Sequence, residues 1–151
     1  MLNRIPTNVN LDRWGLEIES IRCSICDTDL ETVNHLFFSC NMAMTLWVNI
    51  SKWWDIDIPV CSNMQEWVIW LDGVRLRLGV KRCLEVVCLT TMWLIWGYRN
   101  KLLFDSVKPM KGHIWDSIQV YSYFWIDSRV SKFKVSWVDW LYNPVVAINI
   151  L

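Results

Sequence analysis

Glycine is scarce in this chain, five residues among 151, and the five are scattered. That removes a glycine-rich phosphate loop, whose backbone must approach the phosphate closely. No G-x-S-x-G occurs, so a nucleophile elbow is excluded. No two aspartates are adjacent, and no set of spaced carboxylates resembles those that hold paired metal ions for polymerase or nuclease chemistry. An excess of one charge is also missing. Fifteen basic and 15 acidic side chains cancel, which removes the electrostatic footprint of a nucleic-acid-binding domain. Splitting the chain does not restore it: residues 1–54 hold four basic and six acidic groups, about −2, and the remainder hold 11 and nine, about +2. The longest near-apolar run, VVCLTTMWLIW at 86–96, is too short to span a bilayer. The start, MLNRIPTNVNLDRWG, lacks the apolar region of a secretory signal.

Tryptophan and cysteine are plentiful instead. The chain is 54% hydrophobic and carries 12 tryptophans and six cysteines. A packed globular domain follows from that composition, and each indole N–H taken into the core needs an acceptor. Some tryptophans should remain at the surface, in an interface. Six cysteines without a signal peptide indicate a reducing, intracellular setting, nucleus or cytoplasm, where thiols serve as metal ligands or core residues. Neither a membrane nor a small-molecule substrate is indicated.

Along the chain, residues 1–22 read as a polar leader in which Thr7 or Asn10 caps a short turn that Gly15 ends. ETVNHLFFSC reads as helical, starting near Asp29 or Leu30, and MAMTLWVNISKWW continues at helical spacing until Pro59. Ser62 and Gln65 have the spacing of a capping box for a helix running to about Leu71, where Asp72-Gly73 breaks it. A long helix is expected over 80–104, apolar almost all round from 83 to 98, which suits a central place in a bundle. Pro109 precedes a further helix over 110–128. KFKVSWVDWLYNP reads equally as strand or helix, and the tail VVAINIL as packed or dangling. The expected architecture is all-α, with a small zinc-stapled N-terminal region over 1–58 and a helical region over 59–151.

The chemistry concentrates in CSICDTDLETVNHLFFSC, residues 23–40. Cys23, Cys26, His35 and Cys40 form the pattern C-x2-C-x8-H-x4-C. Zinc takes four such ligands in a tetrahedron, and a C-x2-C turn faces two sulfurs to one ion. A set of four leaves no open coordination position, so the site would be structural. Two other readings stand beside it: buried cysteines acting as small hydrophobes, and a Cys23/Cys26 redox pair, which lacks a thioredoxin-like context. Cys83 and Cys88 read as helix core, Cys61 as a loop thiol, and His113 as a surface histidine.

RIPTNVNLDRWGLEI, CSIC, ETVNHLFFSC and the following A-x-x-x-W together resemble the zinc-binding region downstream of the reverse transcriptase in plant LINE-type (non-LTR) retrotransposons. Pro6, Thr7 and Leu11 match that family's leader, and Cys23 and Cys26 its first ligand pair. Glu31, His35, Leu36, Phe37 and Cys40 match the second block, and Ala43 and Trp47 the next helix. Trp93, Ile95, Trp96, Arg99, Asn100 and Phe104 resemble the W-x-I-W-x-x-R-N-x-x-x-F segment that often follows. The family usually has Arg-Gly at Trp14-Gly15, so a positive charge is lost here, and proline at Ser24, whose absence should loosen the knuckle.

The resemblance implies Zn2+ on Cys23, Cys26, His35 and Cys40, and a parent polyprotein that copies RNA into DNA. The chain itself lacks the adjacent aspartates of that activity. Two functions then compete. One is a non-catalytic zinc module that helps position RNA or DNA, with Arg22, Phe37, Phe38 and Lys52 as contact residues, because zinc knuckles bind single strands through exposed aromatics and basic groups. The other is a structural module that docks on the reverse transcriptase core or another protein, which neutral charge and abundant tryptophan favour. A decayed retroelement fragment without selected function is the third reading. The tryptophans Trp53, Trp54, Trp67, Trp70, Trp93 and Trp96 read as core, and Arg99 and Asn100 as partners of a chain turn.

Overall fold

The computed structural model describes residues 4–149. Every named element is helical, and among the described residues the extended pairing is one isolated antiparallel bridge, Arg22 with Leu30. The helices are α1 (Asn8–Arg13), α2 (Asn41–Trp54), α3 (Met64–Gly73), α4 (Leu78–Phe104), α5 (His113–Arg129), α6 (Trp137–Tyr142) and α7 (Pro144–Asn149), with a π-helical turn, His35–Ser39, ahead of α2.

Local chemistry sets each boundary. Thr7 caps α1 by accepting from the Asn10 N–H, and Gly15 follows at φ 79°, a left-handed conformation that suits a residue without Cβ. The helix leading to His35 starts later than expected: Thr32 Oγ1 accepts from the His35 N–H at 3.0 Å. α2 ends at Trp54, before Pro59, because Asp55 turns left-handed (φ 51°). At α3 the cap sits one residue beyond the expected Ser62/Gln65 box. Asn63 Oδ1 accepts from the Glu66 N–H at 2.9 Å, and Glu66 Oε2 accepts from the Ser62 N–H at 2.7 Å. α5 begins at His113, after two turn residues that follow Met110. The ambiguous C-terminal stretch is helix, fixed by Ser136 Oγ accepting from the Asp139 N–H at 3.1 Å. The tail forms α7 and packs on α4 and α2, while residues 150 and 151 lie outside the described residues.

One core runs through the chain and includes residues on both sides of position 58. α2 contributes Met42, Ala43, Leu46, Trp47, Ile50, Trp53 and Trp54, spaced three or four apart along one face. α4 and α5 pack along each other. Trp53 lies edge-on to Trp54, Trp115 and Trp140, at ring-centre distances of 5.2–6.0 Å, an arrangement that adds quadrupole attraction to area burial. The indole N–H groups of Trp47, Trp53 and Trp140 donate to the carbonyls of Phe37, Trp140 and Gln119. Trp54 is buried without such an acceptor among the described residues. Trp93 departs from the expected core tryptophans: it is 64% exposed.

No described helix is long and apolar enough to cross a membrane.

Candidate metal centre

Residues 21–31 fold back on themselves as a knuckle. The Cys23 N–H donates to the Asp29 carbonyl at 2.7 Å, the Asp27 N–H to the Cys23 carbonyl at 2.8 Å, and the Glu31 N–H to the Ile21 carbonyl at 2.9 Å. Asp27 takes φ 53°, which aspartate tolerates better than most residues. This reversal brings Cys23 and Cys26 to one side.

The other two ligands come from the π-turn. Residues five apart on an α-helix point roughly 140° away from each other at 3.6 residues per turn. Here the Cys40 N–H donates to the His35 carbonyl at 2.7 Å, an i→i+5 bond that stacks residue 40 nearly over residue 35. A π-turn therefore lets an H-x4-C spacing serve one ion.

The result is a compact donor set. The three Sγ atoms and one imidazole nitrogen all lie within 4.8 Å of one another. Cys26 Sγ is 3.3 Å from His35 Nε2. A tetrahedron with Zn–S bonds near 2.3 Å has sulfurs roughly 3.8 Å apart, so the donor set has the size and chemistry that zinc requires. Cys23, His35 and Cys40 are buried and Cys26 is half-buried. On the far side of the ring, His35 Nδ1 lies 3.9 Å from Asp29 Oδ2, the place where a carboxylate orients a metal-bound histidine.

Two of the four donors, Cys26 and Cys40, are shifted toward the thiolate that a metal needs, and Cys23 and His35 are shifted the other way. Cys23 bonds to Cys40, and that bond with burial pushes the Cys23 thiol up while the same contact holds Cys40 below the usual thiol range. Burial works against the Cys26 thiolate, but bonds from Thr28, the Asp29 backbone and His35 outweigh it and lower its pKa. Burial likewise opposes the His35 cation, and the neighbouring Cys26 and Cys23 sulfurs raise its pKa nonetheless.

Behind the ligands stands a buried ion pair. Glu31 is 0% exposed and Arg99 2%. Glu31 Oε1 accepts from Arg99 Nη2 at 2.7 Å, from Arg99 Nε at 3.0 Å and from the Asn8 N–H at 2.9 Å. Its Oε2 accepts from the Ser24 N–H at 3.1 Å, one residue after the first ligand. Arg99 Nη2 also donates to Asn8 Oδ1 at 2.9 Å and to the Pro6 carbonyl at 3.3 Å, while its Cζ lies 4.9 Å from the Trp96 ring centre. Leader, knuckle and α4 are thus joined at one carboxylate. Arg99 and Glu31 were both visible in the sequence as matched positions, but their pairing was not. Where the matched pattern has proline, the Ser24 N–H donates to Glu31 and its Oγ accepts from Asn8 Nδ2 at 3.3 Å, two bonds a proline cannot make.

Residues 1–47 match a protein family described as zinc-binding in reverse transcriptase. The match contains all four donors of the cluster and ends within α2. No curated protein and no solved structure matches the chain.

The expected nucleic-acid contacts fare differently from the donors. Phe37 and Phe38 are 2% and 3% exposed, held in the core beside Trp47, so neither ring offers a face to a base. The reason is the π-turn, which points its apolar side chains inward against α2. Arg22 and Lys52 are exposed but line different clefts. Arg22 shares its cleft with Lys108, the carboxylates Glu19 and Asp27, and Phe104, which is 77% exposed.

Proposed function

We propose that the chain is a non-catalytic zinc-binding module of a retrotransposon reverse-transcriptase polyprotein, of the LINE type its motifs resemble. One Zn2+ is held by Cys23, Cys26, His35 and Cys40, and its role is structural. The observation that carries this reading is the closed donor set, four ligand atoms within 4.8 Å of one another, in a segment that matches a zinc-binding family. When bound, the ion cross-links knuckle and π-turn, and its binding energy becomes folding energy. Glu31 and Arg99 then tie that staple to α4. No adjacent aspartates exist to hold catalytic metal ions. Six free cysteines suit a reducing, intracellular compartment.

The test is the zinc content of the reduced, purified chain beside a Cys26→Ser/His35→Ala variant. One equivalent in the parent and its loss in the variant are expected. A folded parent without metal overturns the reading.

Nucleic-acid positioning is the second reading, and the cleft of Arg22, Lys108 and exposed Phe104 favours it. An exposed ring in a cleft with two cations can stack a base and meet its phosphates, against the repulsion of Glu19 and Asp27 in the same lining. Binding of single-stranded RNA should then fall with salt at a log–log slope of about −1.4, the value for two phosphate contacts. Salt-independent or undetectable binding returns the module to a purely structural role.

A further inference from the structure

The sequence of α4 is apolar almost all round from 83 to 98, yet only part of that circumference is covered. A helix hydrophobic on every side is normally enclosed. Here Leu89 and Trp93 on α4, with Tyr121, Phe124 and Trp125 on α5, line one open groove and are between 46% and 64% exposed. Their spacing, 89 and 93 on one helix and 121, 124 and 125 on the other, makes two adjoining stripes. Trp93 and Tyr121 bridge the stripes edge to face, with ring centres 6.2 Å apart. The groove lining contains no charged side chain. Arg129 stands beside it, its Cζ 4.4 Å from the Trp125 ring centre, as a polar rim does around an apolar interface.

We infer that this face binds a second copy of the chain, α4 and α5 of each protomer pairing about a two-fold axis. Three observations select that occupant. The first is area. With about 200 Å² for each aromatic side chain, the exposed fractions of the four rings and Leu89 amount to roughly 500 Å² per protomer. A two-fold interface that covers the whole patch on both copies buries about 1,000 Å² in total, the lower bound for a specific interface. The second is charge. The groove has no charged lining, so the same face meets its copy without repulsion, and the chain's net charge is zero, so no long-range field holds two copies apart. The third is shape: two helices presenting adjoining apolar stripes complete a four-helix bundle when duplicated.

Sedimentation equilibrium of the full, zinc-supplemented chain tests the inference across micromolar concentrations. The expected mass is twice the 18.0 kDa of one chain. Trp93→Glu places a carboxylate in each half of the interface and should weaken association by about 100-fold, with an unchanged far-UV circular dichroism spectrum because Trp93 is not a core residue. Leu89→Lys should do the same, and it decides the matter if Trp93→Glu does not fold. Val107→Glu, at an exposed apolar residue outside the groove, should leave the dimer intact. A monomeric parent overturns the inference. So does a dimer that survives the groove substitutions, or a mass that climbs without limit, which marks a head-to-tail contact rather than a two-fold one.

Discussion

Replacing Arg99 by methionine is the perturbation that most directly tests how the centre is held. The change keeps an apolar stem in place and removes the guanidinium. Glu31 Oε1 then loses two donors, at 2.7 and 3.0 Å, and Asn8 Oδ1 loses its donor at 2.9 Å. Two backbone N–H groups, of Asn8 and Ser24, remain on the carboxylate. Glu31 is fully buried, so water cannot replace the missing cation without opening the leader. Removing one partner of such a pair costs about 3–5 kcal/mol. Urea unfolding of the zinc-loaded chain, followed by far-UV circular dichroism, reads that loss as a lower midpoint with a similar slope. A second readout separates this from generic damage. Because Glu31 Oε2 grips Ser24 beside Cys23, the variant should also bind zinc about 10- to 100-fold more weakly in competition with a chelator. Glu31→Gln keeps an acceptor for Asn8 or Ser24 and should lose less zinc affinity than Glu31→Ala. Stability within about 1 kcal/mol of the parent, together with unchanged zinc affinity, would refute the coupling.

Three further outcomes follow from the same geometry. Ser24→Pro brings the chain nearer the pattern its motifs resemble, but it removes the N–H that Glu31 holds, and should cost about 1–3 kcal/mol; equal or greater stability in urea would refute that role. Trp53→Ala removes the ring that meets Trp54, Trp115 and Trp140, and a cost of about 3–5 kcal/mol is expected, with a value under 1 showing that the cluster repacks. In the metal-free, reduced chain at pH 7, a lowered thiol pKa means more thiolate, so iodoacetamide should label half-buried Cys26 first. Cys83, pushed up to about 11 by burial, and Cys88, also raised, should stay unlabelled. Mass spectrometry gives the order, and early Cys88 modification would contradict the packing.

The donors of the centre were legible because ligation leaves a spacing, and C-x2-C-x8-H-x4-C leaves a distinctive one. What the spacing did not carry is how His35 and Cys40 come together, since a π-turn has no strong residue signature. Glu31 and Arg99 stood out only as matched positions. Their pairing depends on tertiary packing, which no local pattern encodes. Phe37 and Phe38 were misplaced for a related reason: two adjacent rings beside a ligand read as exposed stackers until the π-turn and α2 close over them. The cap of α3 was missed by one residue because two acceptable caps overlap there, and Asn63 with Glu66 adds an anionic side chain to the first turn, where the helix dipole favours it. The C-terminal segment was ambiguous because six residues sample too little period, and the Ser136–Asp139 cap decides for helix. α4 was read as central from its all-round apolar surface, and the structure leaves one of its sides open.

The Glu31–Arg99 bond also sets a timetable. The two residues are 68 positions apart. At about 5–20 residues per second, Glu31 is added to the chain roughly 3–14 s before Arg99 is. The four donors all lie within the first 40 residues, so they too are made before α4. The carboxylate's bonds from the Asn8 and Ser24 N–H groups are therefore available before the arginine exists, and the arginine completes the set last.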